Sequence, residues 1–242
     1  MTNIKEAFPE YEKPSVAIDT VIIRTANTVE PDKQQAGVKQ MQVLLISKKD
    51  EKENKKWHFP GTILRLGETP KDAIDRIINE KTNANEVYYE QLYTVADNPE
   101  RDERGHIISM VYIGLVDDET EIDISKDSEY EAMWFWINKK NTGGDRLLHC
   151  ESMIYDYELP YDHGKILSDT IDRLKGKIMY TDIGFRLVGK TFTIKNLENS
   201  FNAINERNIP GFRRYIADKI KGTGIMSSGK SNRPADLYRR KK

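Results

Sequence analysis

Apolar residues change their spacing several times along the chain, and each change marks a different kind of element. Val16 to Ile23 and Val43 to Ile46 are short β-branched or apolar runs parted by a polar stretch rich in Gln, Asp and Lys, so they predict strand, loop, strand. Val87–Val95, Ile107–Val116 and Met133–Ile137 add three more strands across charged or glycine-bearing connections. One helix interrupts the series. Thr69 supplies its N-cap, Pro70 suits its first position, and Ala73, Ile74, Ile77 and Ile78 recur at helical spacing. Strands around a helix predict a mixed α/β domain.

Beyond Leu159-Pro160 the spacing becomes helical. Asp162-His163 opens a helix carrying Ile166, Leu167, Ile171 and Leu174, with an expected end near Gly176. Thr193 caps a second helix through Leu197, Phe201 and Ile204 to about Asn205. After a turn over Glu206–Ile209, the segment Pro210–Ile220 predicts a third helix with Phe212, Ile216 and Ile220 inward and Arg213, Arg214 and Lys219 toward solvent. Gly222–Ser227 and Pro234–Arg239 then predict a β-hairpin whose tip carries Lys230 and Arg233. This is the order of a winged helix-turn-helix. Its third helix could enter a major groove while Lys230 and Arg233 meet phosphates.

Composition narrows the class. Hydrophobic residues are 38% and charged residues 32%, with 15 glycines and 9 prolines, which excludes collagen-like and wholly disordered chains. No apolar run approaches the roughly 20 residues that a bilayer crossing needs, and the opening MTNIKEAFPEYEKP lacks the apolar core of a secretory leader. The single cysteine, Cys150, cannot close an internal disulfide, so a reducing, cytoplasmic setting is expected. Cys150 and His149 lack a second ligand pair nearby and receive no metal or nucleophilic role. The net charge of −1 is an average of two unlike parts. Residues 1–160 hold 20 Lys+Arg against 31 Asp+Glu, net −11, and 161–242 hold 18 against 8, net +10. Such asymmetry points to nucleic acid as a partner, although charge alone fits a solvated basic tail as well. We therefore divide the chain into domains 1–160 and 161–242.

The loop ahead of the first helix, Trp57-His58-Phe59-Pro60-Gly61-Thr62-Ile63-Leu64-Arg65-Leu66-Gly67-Glu68-Thr69-Pro70, resembles the Nudix box, Gly-x5-Glu-x7-Arg-Glu-U-x-Glu-Glu-x-Gly-U, where U is a bulky aliphatic residue. Glu68 and Arg76 fix the register. Thr62 then stands for the box glycine, Ile77 for the glutamate after the arginine, Glu80-Lys81 for the glutamate pair and Asn83 for the last glycine. In active members of that family the three glutamates share one helix face and hold Mg²⁺ or Mn²⁺ against a pyrophosphate. Isoleucine supplies no oxygen and lysine repels a divalent cation, so no metal, no cofactor and no catalytic residue is expected.

A second loop, Arg101-Asp102-Glu103-Arg104-Gly105, resembles the Arg-Asp-x-Arg-Gly loop of Nudix proteins that act on or sense ADP-ribose. Arg65, Glu68, Arg101 and Arg104 are the candidate effector contacts. For Arg101 and Arg104 the physical reason is the planar guanidinium fork, which matches phosphate geometry. The aromatic run Met133-Trp134-Phe135-Trp136 is taken as core strand.

Taken together, the chain resembles the Nudix-related transcriptional regulators of NrtR type, in which a Nudix domain precedes a winged helix. Tyr161-Asp162-His163, Tyr180-Thr181, Phe185-Arg186-Leu187, Phe192-Thr193, Phe212-Arg213-Arg214 and Arg233-Pro234-Ala235-Asp236-Leu237-Tyr238 carry that likeness. The resemblance implies a mixed-sheet Nudix fold plus a C-terminal winged helix-turn-helix. It also implies a homodimeric regulator, repressor or activator, that binds double-stranded operator DNA through Arg213, Arg214, Lys219, Lys230 and Arg233. Its effector would be an ADP-ribose-like nucleotide or a sugar phosphate, and the repressors of this type act in NAD metabolism. The competing expectation is a hydrolase of ADP-ribose or a related nucleoside diphosphate, resting on Glu68, Arg76 and Glu80.

Overall fold

The computed structural model describes residues 13–28, 38–50, 55–82, 87–122, 128–138, 148–149, 157–227 and 234–241. Among these the strands are β1 (Ser15–Asn27), β2 (Lys39–Lys48), β3 (Gly61–Ile63), β4 (Tyr88–Val95), β5 (Ile107–Leu115), β6 (Tyr130–Ile137), β7 (Leu148–His149), β8 (Ile220–Met226) and β9 (Asp236–Arg240). The helices are α1 (Pro70–Ile77), α2 (His163–Ile178), α3 (Ile194–Asn205) and α4 (Phe212–Ile216), with a π-helical turn over Ile78–Thr82 and a 3-10 turn over Ile183–Leu187.

β1 organises the main sheet, whose order is β4-β5-β1-β2-β6-β7 with β3 also on β1. It lies parallel to β5 from Ser15 to Ile23, then antiparallel to β2 from Ile23 to Asn27, so one long strand serves partners of both directions. Both faces are covered at the centre of the sheet, which is why β1 and β2 read as apolar runs rather than alternations. On one face Val21, Ile23, Val43, Leu45, Val111 and Ile113 meet Ile166, Leu167, Ile171 and Leu174 of α2. On the other, Ile18 packs against Ala73, Ile74 and Ile77 of α1, while Ile22, Leu44 and Val116 form a small neighbouring cluster.

The C-terminal part follows from its aromatic residues. Phe185, Phe201, Phe212 and Ile216 are buried and continuous with the sheet core through α2. Gly184 makes this packing possible, because a Cβ there would run into the Phe201 ring. The hairpin β8–β9 closes the unit, and Phe192 pairs with Tyr238. A polar clamp fixes the unit to the sheet. The Thr25 hydroxyl donates to Ser200 Oγ at 2.9 Å, and buried Lys39 donates to Asp118 at 2.8 Å and to Ser200 at 3.2 Å.

Three sequence expectations are corrected. The helix expected to stop near Gly176 continues to Ile178, whose side chain is buried. The helix expected over Pro210–Ile220 ends at Ile216, since a turn over residues 217–219 sends Ile220 into β8 opposite Arg240. Lys219 is therefore not on that helix. The α-helical register assumed through residue 81 also fails, because Ile78–Thr82 widens to a π turn in which the Thr82 hydroxyl donates to the Ile78 carbonyl. No helix among the described residues is long and apolar enough to cross a membrane.

Candidate functional site

The box loop is built around Arg76. Its Nε and Nη2 donate to the two Glu68 oxygens at 2.7 and 2.8 Å, its Nη1 to the Thr62 hydroxyl at 2.7 Å, and its Nη2 also to the Ile63 carbonyl at 3.1 Å. The Arg65 backbone N–H donates to Glu68 at 2.9 Å. This guanidinium beside Glu68, with the Arg65 N–H, holds the carboxyl down to about 2. Thr69 and Asp72 form a reciprocal capping box that starts α1, with Pro70 in the first turn. The Glu68–Arg76 pair thus shapes the loop, and the loop delivers Gly61 against Asp19. A Cβ at Gly61 would strike the Asp19 carboxylate.

Ile77 has no exposed surface and packs in the core beneath the sheet, while Glu80 is exposed one turn further on. The Lys81 side chain lies outside the described residues. A divalent ion wants several hard oxygens, and here one position is an isoleucine in the core and Glu68 is already engaged by an arginine. The residues present do not fit the metal centre that the fold family uses. Among the described residues no three His, Cys, Asp or Glu side chains cluster.

A cavity of about 130 Å³ opens where β3, the Arg101–Arg104 loop and the start of α2 meet; its polar walls include Asp19, His58, Arg101, Arg104, Tyr161 and His163. A shallower hollow of about 460 Å³ continues from it past Arg104 to Lys13 and Ser15. Arg101 donates from Nε and Nη2 to Asp162 at 2.9 and 2.6 Å, which raises its pKa further. Arg104 donates to Asp102 at 2.8 and 2.6 Å, holding that carboxyl at about 2. Its side chain is 67% exposed. The Asp19 carboxylate accepts from Ser109. His163 stacks on Phe59 with centroids 4.5 Å apart, and burial pushes its pKa down to about 4, so the ring is neutral. A neutral aromatic floor with guanidinium walls suits a ligand that has a flat ring and phosphate oxygens.

Of the sequence-derived effector candidates, Arg101 and Arg104 line this cavity, whereas Arg65 and Glu68 do not. Asp19, His58, Tyr161 and His163 were not singled out as site residues from the sequence. They stand 144 positions apart from first to last; His58 falls in the box loop and Tyr161 and His163 in the C-terminal pattern that carry the resemblance, while no sequence signal marks Asp19.

The second charged surface lies on the C-terminal unit. Arg213 and Arg214 are exposed on α4, which Gly211 opens at φ 67°. Lys219 turns back, donating to the Tyr215 hydroxyl at 3.0 Å and lying 4.3 Å from its ring centre. Lys221, Arg239 and Arg240 add exposed cations on the hairpin, Arg240 paired with Asp182. Lys230 and Arg233, expected at the tip, lie outside the described residues, as does Cys150.

Comparison with known proteins matches residues 32–143 to the NUDIX domain and residues 184–240 to the NrtR DNA-binding winged helix domain. The chain is 26% identical over 205 residues to "ADPR responsive transcriptional repressor NtrR" of Acinetobacter baylyi, covering 83% of this chain and 76% of that protein. It is 28% identical over 160 residues to an ADP-ribose pyrophosphatase of Methanocaldococcus jannaschii, covering 66% and 74%. A crystal structure of Shewanella oneidensis NrtR complexed with a 27mer DNA superposes with a TM-score of 0.68 at 25% identity, covering 93% of each chain.

Proposed function

Because the chain matches a NUDIX domain followed by an NrtR-type DNA-binding winged helix, we propose that it is a transcriptional repressor released by an ADP-ribose-like nucleotide. The observation that carries this reading is the pairing of a guanidinium-lined cavity with a box helix whose metal-ligand position, Ile77, is buried in the core. Phosphate oxygens would meet Arg101 and Arg104, and a flat ring would lie against Tyr161 or the Phe59–His163 stack. With two of the three box carboxylates replaced, by Ile77 and Lys81, the Nudix domain binds the nucleotide without cleaving it. The likeness to an ADP-ribose pyrophosphatase and the exposed Glu80 are what favour the second reading, hydrolysis of ADP-ribose.

We assign the DNA contacts to Arg213 and Arg214 on α4, with Lys230 and Arg233, which the sequence expects between β8 and β9, on phosphates, and we place Lys219 behind α4 as support for Tyr215. The division at residue 160 belongs to the same reading, with α2 as a strut shared by both units. A two-fold operator calls for a homodimer, each subunit placing one winged helix in a half-site.

The test is fluorescence anisotropy of the full chain on a labelled duplex carrying the promoter of its own transcription unit, at stated salt. A specific complex that ADP-ribose weakens at least tenfold is expected. Binding no tighter than to scrambled DNA, or AMP released from ADP-ribose with Mg²⁺, would overturn the reading.

A further inference from the structure

Asp162 stands immediately before α2, where a carboxylate ordinarily accepts the free N–H groups of the first helical turn. Here it makes no capping bond. Both its oxygens are taken by Arg101, 61 positions away, whose side chain is only 7% exposed. The residue before it, Tyr161, is a non-glycine at φ 57°, in the left-handed region, and its ring forms part of the cavity wall. One ion pair therefore holds a strained turn at the head of α2, and its arginine belongs to the cavity.

The far end of α2 is also tied. The Tyr215 hydroxyl donates to the Met179 carbonyl, just past the helix, at 2.7 Å. Tyr215 follows Arg213 and Arg214 on α4, and its ring packs on Phe201 and Phe212. Sixteen residues of helix give a rod of about 24 Å between these two ties.

We propose that Asp162 is the positioning residue that couples the cavity to the DNA-binding helix, by exchanging between two partners. Without ligand it grips Arg101. When a diphosphate-bearing nucleotide claims the Arg101 guanidinium, which has five donors and gives Asp162 two, the carboxylate is released to cap α2 and the Tyr161 turn relaxes. The shift of α2 is passed through Met179 to Tyr215 and so to α4. This rests on the cavity being the effector site.

Because Asp162 competes with the ligand for Arg101, removing its charge has a signature that a purely structural role lacks: the ligand binds more tightly while DNA binding stops responding to it. The experiment measures ADP-ribose affinity by calorimetry and promoter-duplex affinity by anisotropy on the full chain. In Asp162→Asn, ADP-ribose should bind threefold or more tighter. Operator affinity should sit at the ligand-loaded wild-type value, with less than a twofold further response. Asp162→Glu should keep at least half of the wild-type response. Tyr215→Phe, a mild change at the other tie, should bind ADP-ribose as wild type does yet lose most of the DNA response. ADP-ribose bound by wild type and Asp162→Asn alike, with the DNA response undiminished, overturns the coupling alone. Wild-type protein that does not bind ADP-ribose overturns the effector reading and this proposal with it.

Discussion

Replacing Ile77 by glutamate rebuilds one of the three box carboxylates on paper, and the structure says what it would do instead. Ile77 has no exposed surface and touches the cluster of Ile18, Ala73 and Ile74. Losing its apolar burial costs about 2 kcal/mol. A carboxyl kept in that cluster would have its pKa raised by roughly three units, which is about 4 kcal/mol at neutral pH. The total of about 6 kcal/mol is a large part of an ordinary protein's stability, and at 2–4 °C per kcal/mol for a chain of this size it lowers the melting temperature by roughly 12–24 °C. The sign of the pH dependence is fixed. A folded-state pKa raised above the unfolded value costs nothing extra below the unfolded pKa, and the penalty grows as pH rises toward the folded one. The deficit against wild type should thus be smaller at about pH 5 than at about pH 8. Ile77→Val, by contrast, should cost about 1 kcal/mol. Differential scanning calorimetry at both pH values, with ADP-ribose turnover assayed beside it, is the measurement. A variant that melts like wild type at both would show that position 77 does not lie in the apolar cluster, and one that gains Mg²⁺-dependent cleavage would show that it faces a metal site.

Neutral, buried His163, at about 4, predicts a loss of stability on acidification. The unfolded ring binds its proton near pH 6.5, so between pH 7.5 and pH 5 urea denaturation should lose about 2 kcal/mol that His163→Phe does not lose. An equal slope in both proteins would count against a neutral ring. Gly184→Ala pushes a methyl into Phe201 and should cost about 2 kcal/mol by overpacking, with Phe201→Leu costing less in that background than in wild type; strict additivity would contradict the contact. Lys39→Met strands Asp118 at the edge of the buried clamp on Ser200 and should cost about 3 kcal/mol. Asp118→Asn should add little once Lys39 is gone. For DNA, Arg213→Ala should weaken operator binding and relax base preference, whereas Lys230→Ala should weaken every sequence alike and flatten the salt dependence. Equal effects would show that α4 does not read bases.

Much of the fold was readable because it is local. The apolar runs located the five longer strands of the sheet, and the Thr69 and Thr193 caps located α1 and α3 to within a residue. What was missed depends on distant partners. β1 continues through polar Arg24 and Thr25 because Gln42 and Ser200 satisfy them, the latter 175 positions away. The short strands β3 and β7 carry too few residues for any periodicity. The third helix is shorter than its spacing implies, because Ile220 keeps helical spacing and yet is buried by pairing with Arg240. At the site, spacing exposed the altered carboxylates and the Glu68–Arg76 register. It could not show that this pair is consumed in shaping the loop. Nor could it show that Arg101 faces Asp162, since an ion pair leaves no trace in the sequence near either member.

Whether the nucleotide is sensed rather than consumed, and whether it governs grip on DNA, can be tested in a single tube. The full chain on its labelled promoter duplex is titrated with ADP-ribose in the presence of Mg²⁺, while anisotropy is followed and the nucleotide is recovered by chromatography. If the nucleotide is sensed, anisotropy falls and the ADP-ribose is recovered whole. Unchanged anisotropy at saturating ADP-ribose, or recovery of AMP in its place, would contradict sensing.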